Sequence, residues 1–168
     1  MAATTDRQRM EAQEWKDYTT TKKIMTNIFS AYDATFDMKP MPTYCYVDAR
    51  MKAEKGGKSK SYTIEIKERN INGELETLPL KCKKYCNIMA ETKENETPLA
   101  IYLVNDSEYY IFNLQKLDMN KVIIKNWNIP KVNFAKITEK MEYEETPTFF
   151  IPINQSIYNG IIPHNANN

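Results

Sequence analysis

The chain has 168 residues, 23 Lys+Arg against 22 Asp+Glu, one histidine and a formal net charge of +1. That length supports one hydrophobic core. A composition of 42% hydrophobic and 27% charged residues excludes a wholly disordered, collagen-like or disulfide-stapled chain. No apolar run approaches the ~20 residues of a membrane span, and no hydrophobic stretch follows the N-terminal basic residues as a secretion signal requires, so a cytoplasmic protein without membrane partners is expected.

Residues 5–32 read as helical, with Met10, Trp15, Ile24, Ile28 and Phe29 in an imperfect 3.6-residue stripe and a break expected at Thr19–Thr21. Pro40 and Pro42 end that helix and set up extended chain. Tyr44–Met51 reads as a strand, and Ala53–Lys60 as a basic, glycine-containing connection. Ser61–Arg69 alternates, with Ile64 and Ile66 on one face and Thr63, Glu65 and Lys67 on the other. Asn70–Gly73 is a turn, Leu80–Thr92 a helix, and Pro98–Val104 a continuous apolar run of the kind found in a strand buried on both faces. Asn105-Asp106-Ser107 turns into a second strand, Tyr109–Leu114. Thr148–Ile153 reads as a further strand within an otherwise less regular stretch over 116–163. The expected organisation is a single domain over 1–168: a helical part at 5–32, a core at 40–115 and a C-terminal part at 116–163. The fold class is α/β, with a mixed central sheet flanked by helices.

Three cysteines, Cys45, Cys82 and Cys86, leave an odd thiol in any disulfide scheme and suit a reducing compartment. With His164 they could in principle hold zinc. However, such ligands usually arrive as close pairs from tight turns, so small core side chains are the preferred reading. Gly57-Lys58-Ser59 imitates the end of a phosphate-binding loop, but Lys52 stands where that pattern needs glycine.

Residues 40–90 carry 10 basic and 6 acidic side chains, net +4, whereas 91–168 carry 7 and 10, net −3. An anionic partner is therefore expected on the middle third, with a merely solvated charged face as the alternative. Lys52, Lys55, Lys58 and Lys60 would reach a nucleic-acid backbone from the connection, and Lys81 lies in the same basic third. Tyr44, Tyr46, Tyr62, Tyr109 and Tyr110 fall on expected strands, where packing is favoured over base stacking.

The chemistry centres on Asp48 to Lys67. Glu65 and Lys67 leave the same face of one strand, and a hairpin would set Asp48 beside Glu65. Two hard carboxylates and a backbone carbonyl suit Mg²⁺, with a lysine to act on a metal-polarised water or on phosphate charge. The acid-x-lysine tripeptide is common: Glu14-Trp15-Lys16, Asp37-Met38-Lys39 and Glu91-Thr92-Lys93 share it. Only Glu65-Ile66-Lys67 sits in an alternating strand preceded by a second strand with an acid. An exposed strand face with a cross-strand ion pair is the plainer reading of the same residues.

Tyr46-Val47-Asp48-Ala49, the Gly/Lys connection and Tyr62-Thr63-Ile64-Glu65-Ile66-Lys67-Glu68-Arg69 resemble the PD-(D/E)xK, restriction-endonuclease-like nuclease superfamily, in particular its small phage-type members. Lys83-Lys84-Tyr85 and the strands Ala100–Val104 and Tyr110–Leu114 resemble its second half. The resemblance covers roughly residues 40–115 and implies an αβββαβ core and a Mg²⁺- or Mn²⁺-dependent nuclease acting on DNA. It implies Asp48, Glu65 and the Ile66 carbonyl as metal ligands, Lys67 as the catalytic lysine, and Lys84 as a second catalytic residue on the helix beside the site, contacting phosphate or helping to position the water. Glu11 or Glu14 of the first helix would be a further ligand, although their distance from Asp48 departs from the usual spacing. Val47 replaces the family's proline. Many Asn, Lys, Ile and Tyr residues suit AT-rich phage coding. The alternative function is a non-catalytic nuclease-fold protein: nucleic-acid-binding, virion-structural or inhibiting host defence. A homodimer and a phage or host protein are open as further partners.

Overall fold

The computed structural model describes residues 6–42, 45–130 and 143–163. Helix α1 spans Asp6–Ser30 without the break expected at Thr19–Thr21. Threonine weakens helices partly because its hydroxyl competes for backbone groups. Here the Thr19 and Thr26 hydroxyls donate to the carbonyls of Trp15 and Lys22, one turn back, at 2.8 and 2.9 Å, so the competition is resolved within the helix.

Strand β1 (Thr35–Pro40) follows and was not foreseen from the sequence. It is an edge strand, the place where a sheet tolerates Pro40. Strands β2 (Ala49–Lys55) and β3 (Lys58–Arg69) are longer toward their hairpin than the sequence suggests. The connection expected over 53–60 shrinks to Gly56-Gly57, whose φ values of +55° and +74° are those a two-residue hairpin turn needs and that a Cβ would disfavour. The strand read over Tyr44–Met51 begins only at Ala49, after a bend over 45–48, and Tyr44 lies outside the described residues. Strand β4 (Thr77–Lys81) claims Leu80, so helix α2 covers Cys82–Glu91. Strands β5 (Glu96–Val104) and β6 (Glu108–Asn113) flank a turn with Asn105 and Asp106 at φ 52° and 54°. The Asn105 amide also holds both backbone groups of Ile71. The stretch after 115 holds β7 (Ile123–Pro130), β8 (Tyr143–Pro152) and β9 (Tyr158–Ile161).

The main sheet has the order β1-β2-β3-β5-β6-β9 and is mixed: β3 and β5 are parallel and the other neighbours antiparallel. The crossover between the parallel pair runs through β4 and α2. The element order is therefore helix, three strands, helix, strand, with β4 added before α2. A smaller antiparallel sheet, β4-β8-β7, completes the fold.

Period-2 alternation divides the core in two. Ile64 and Ile66 of β3, with Leu99, Ile101 and Leu103 of β5, bury against Ile24 and Met25 of α1. Ala100, Tyr102 and Val104 face the other way, with Leu78, Leu80, Ile88 and Ile151 from β4, α2 and β8. Strand β5 is buried from Pro98 to Val104, as its apolar run predicts. Among the described residues no helix is long and apolar enough to cross a membrane.

Candidate active site

Glu65 leaves β3 on the face away from α1 and is fully buried beside Ala100, its partner on β5. A lone carboxylate there would be strongly penalised, because burial removes the water that stabilises its charge. Two ammonium groups answer it. Lys67, two residues along the same strand face, pairs with Oε1, and Lys84, carried in by α2, stands 2.9 Å from Oε2. Both lysines keep about a quarter of their side chains exposed, so positive charge reaches the surface directly above a buried negative one. Burial pushes the Glu65 carboxyl above its ordinary range. The Lys67 charge opposes the shift, the nearby Asp48 charge adds to it, and Lys84 pulls it back.

Asp48 sits where β2 has not yet begun. Its own amide donates to the Ile64 carbonyl at 2.9 Å, and its Oδ2 accepts the Ile66 amide at 2.6 Å. The side chain thus takes the place of the next rung of the β2–β3 ladder. In an extended strand the N–H and C=O of one residue leave along the same edge. The Ile66 carbonyl is therefore directed to the edge where the Asp48 carboxylate lies. Unlike Glu65, Asp48 is exposed.

Asp48, Ile66 and Lys67 form one wall of a cleft of about 320 Å³. The opposite wall is the first half of α1, where Glu11, Glu14 and Asp17 all line the space. Steps of three residues keep these acids near one side of a helix. The long sequence gap between them and Asp48 is closed by α1 folding back over the sheet. Asp17 was missed from the sequence. It is half-buried, and its carboxyl is raised first by burial, lowered by the Gln13 amide at 2.7 Å, and raised again by the Glu68 and Asp48 charges. The available signal was its position three residues after Glu14.

The donor set of carboxylates and one carbonyl is that of a hard, oxygen-preferring divalent cation, so the residues fit Mg²⁺ or Mn²⁺ by chemistry. As placed, no three acidic, histidine or cysteine side chains among the described residues gather into a cage. Glu65 is engaged by its two lysines instead. A cation using Glu65 would have to compete with Lys67 and Lys84 for its oxygens.

The other residues singled out from the sequence lie elsewhere. Lys81 is exposed where β4 meets α2. Lys55, Lys58 and Lys60 cluster at the hairpin end of β3, roughly 17 Å or more along the strand from Glu65. Lys52 lies on β2 among residues of the opposite face and pairs with Glu54 at 2.6 Å. Cys82 and Cys86 lie on α2 and Cys45 lies beside the cleft, all as free thiols, while His164 of the zinc alternative is outside the described residues.

No family model and no curated protein matches this chain. Among solved structures, the chain is similar to Hjc, a Holliday junction resolvase from the archaeal hyperthermophile Archaeoglobus fulgidus. The likeness has 14% sequence identity and a TM-score of 0.48, over 84% of this chain and 90% of that one.

Proposed function

We propose that the protein is a phage-encoded, Mg²⁺- or Mn²⁺-dependent nuclease that hydrolyses DNA phosphodiester bonds. One observation carries this reading: a buried Glu65 is flanked by Lys67 and Lys84 and feels the nearby charge of an exposed Asp48 anchored on the Ile66 amide, and Asp48 and Lys67 line an acid-rich cleft. The resemblance of Asp48 and Glu65-Ile66-Lys67 to the PD-(D/E)xK motif points the same way.

In this reading Asp48, Glu65 and the Ile66 carbonyl hold the metal, with Glu14, Glu11 or Asp17 reaching in from α1. A divalent cation held there would supply Lewis-acid stabilisation of negative charge on the scissile phosphate and make a water more acidic. Lys67 lines the cleft and also contacts Glu65, so its ammonium can orient the attacking water or neutralise the phosphate. Lys84 holds the second oxygen of Glu65 and fixes that carboxylate's rotamer. The Asp48–Ile66 hydrogen bond does the same for the other acid.

The test is cleavage of plasmid and linear DNA by purified protein with Mg²⁺ or Mn²⁺, against EDTA. Metal-dependent cleavage lost in Asp48→Ala, Glu65→Ala and Lys67→Ala supports the assignment. Cleavage indifferent to these changes rejects it.

The complete pairing of Glu65 by two lysines favours a second reading, in which the cluster is a buried ion pair of a non-catalytic nucleic-acid-binding protein. Calorimetry with Mn²⁺ separates the two. Binding abolished by Asp48→Ala supports the enzyme, and no binding together with an unbroken DNA substrate supports the alternative.

A further inference from the structure

A second concavity, of about 990 Å³, opens at the far end of β3, between the end of α1, the β2–β3 hairpin and the segment leading into β9. It lies at the top of the ~300–1,000 Å³ range typical of ligand sites. The alternation that sends Ile64 and Ile66 to α1 also sends Tyr62, Lys60 and Lys58 to this side of β3, and Lys55 to this side of β2. Its aromatic wall is Tyr32, Tyr62 and Tyr158. Tyr32 is 49% exposed and Tyr158 38%, and their rings meet edge-on at 6.4 Å. Lys55 lies 5.9 Å above the Tyr32 ring and Lys60 5.5 Å above that of Tyr62. Lys58 and Lys116 also line the space, while Glu54, the acid among the lining residues, is paired with Lys52.

We propose that this groove binds single-stranded nucleic acid, stacking bases on Tyr32, Tyr62 and Tyr158 and holding the backbone with Lys55, Lys58, Lys60 and Lys116. Partly exposed tyrosine rings beside lysines that have no carboxylate partner among the described residues are what unpaired bases and their phosphates recognise together, the lysines over Tyr32 and Tyr62 turning to the phosphates as bases take the ring faces. A duplex keeps its bases stacked inside and offers nothing to the tyrosines. The groove lies at the opposite end of β3 from Glu65, so it acts as a holding site for the strand rather than as part of the reaction centre. The inference rests on the nuclease reading in naming this strand as substrate, and its substrate class is then an unpaired or partly unpaired strand.

Fluorescence anisotropy in EDTA, with labelled oligo(dT), oligo(U) and a mixed-sequence duplex of roughly 20 nucleotides, longer than the ~4–16 a single-strand site covers, tests it without cleavage. The full-length chain is expected to prefer a single strand over duplex. Tyr32→Ala and Tyr158→Ala are each expected to weaken that binding about fivefold or more. The combined Lys55→Gln, Lys58→Gln, Lys60→Gln variant, exposed and safe for folding, is expected to weaken it and to flatten its salt dependence. Equal or tighter binding of duplex, or groove variants that bind like the parent, overturns the inference. A chain that binds through the groove and cleaves nothing under any metal sinks the nuclease reading alone. One that cleaves, yet binds single strands indifferently to the groove variants, sinks this inference alone.

Discussion

Strand β3 handles charge differently at its two ends. At Lys58–Tyr62 it lines the groove beside the end of α1, where Lys58 and Lys60 are exposed and Lys60 stands over the Tyr62 ring. At Glu65–Lys67 it lies under α2 and the small sheet, and the carboxylate there is dry and held between two ammonium groups. The same residue types thus do different work. Exposed lysines provide long-range attraction that salt screens, whereas the pair around Glu65 acts at short range where screening is weak.

The largest expected effect breaks the buried end. Glu65→Ala or Lys67→Ala should lower the metal-dependent cleavage rate by about 100-fold or more, read on supercoiled plasmid, because groups acting on transition-state charge carry effects of that order. The same variants should leave oligonucleotide binding in EDTA close to the parent, since that belongs to the other end. Loss of both together would show that the two ends are not separable.

Next comes the scaffold between them. Ile64 is fully buried between the two ends, and Ile64→Ala should cost about 2–5 kcal/mol in denaturant unfolding, with cleavage and binding falling in parallel as the folded fraction falls.

A smaller effect is pH-dependent. Burial raises the Glu96 carboxyl, but the Thr63 hydroxyl at 2.7 Å, the Lys93 amide and Arg50 together outweigh it and leave it below its ordinary value. A depressed carboxylate stabilises the fold above its unfolded pKa, and that contribution disappears as pH falls through the folded one. Thermal stability should therefore decline below about pH 4.5. Glu96→Gln should flatten that part of the curve while lowering stability near neutral pH.

The smallest expected effect sharpens the exposed end. Gly57→Ala puts a Cβ on a residue at φ +74° and should cost about 1 kcal/mol, through backbone strain alone, since nothing lies within 4 Å of that Cβ. If the hairpin is what positions Lys55, Lys58 and Lys60, single-strand affinity falls modestly while the cleft at Asp48 and Lys67 is unaffected.

Much of the sheet was legible because alternation is a local signal. Thr63, Glu65 and Lys67 were separated from Ile64 and Ile66 on period alone, and the apolar run at Pro98–Val104 announced a strand buried on both faces. Strands β1, β4, β7 and β9 were not legible. Each is short, edge-placed or proline-bearing, and β4 and β9 pair with strands distant in sequence. Leu80 shows the difficulty: its apolar neighbours fit a helix start equally well, and only Phe149 across the ladder makes it strand.

In the candidate site, the chain order by itself fixed that Glu65 and Lys67 share a face, because side-chain direction along a strand follows from backbone geometry; the acid expected on the adjoining strand, Asp48, lies instead in the bend ahead of β2. Only the tertiary fold decided that Glu65 is dry, that α2 delivers Lys84 to its second oxygen, and that α1 swings Asp17 and Glu14 over the cleft. It also decided that Lys52 is parted from the three lysines beside it in sequence. Burial, charge pairing and the meeting of distant elements are properties of packing, and no local period encodes them.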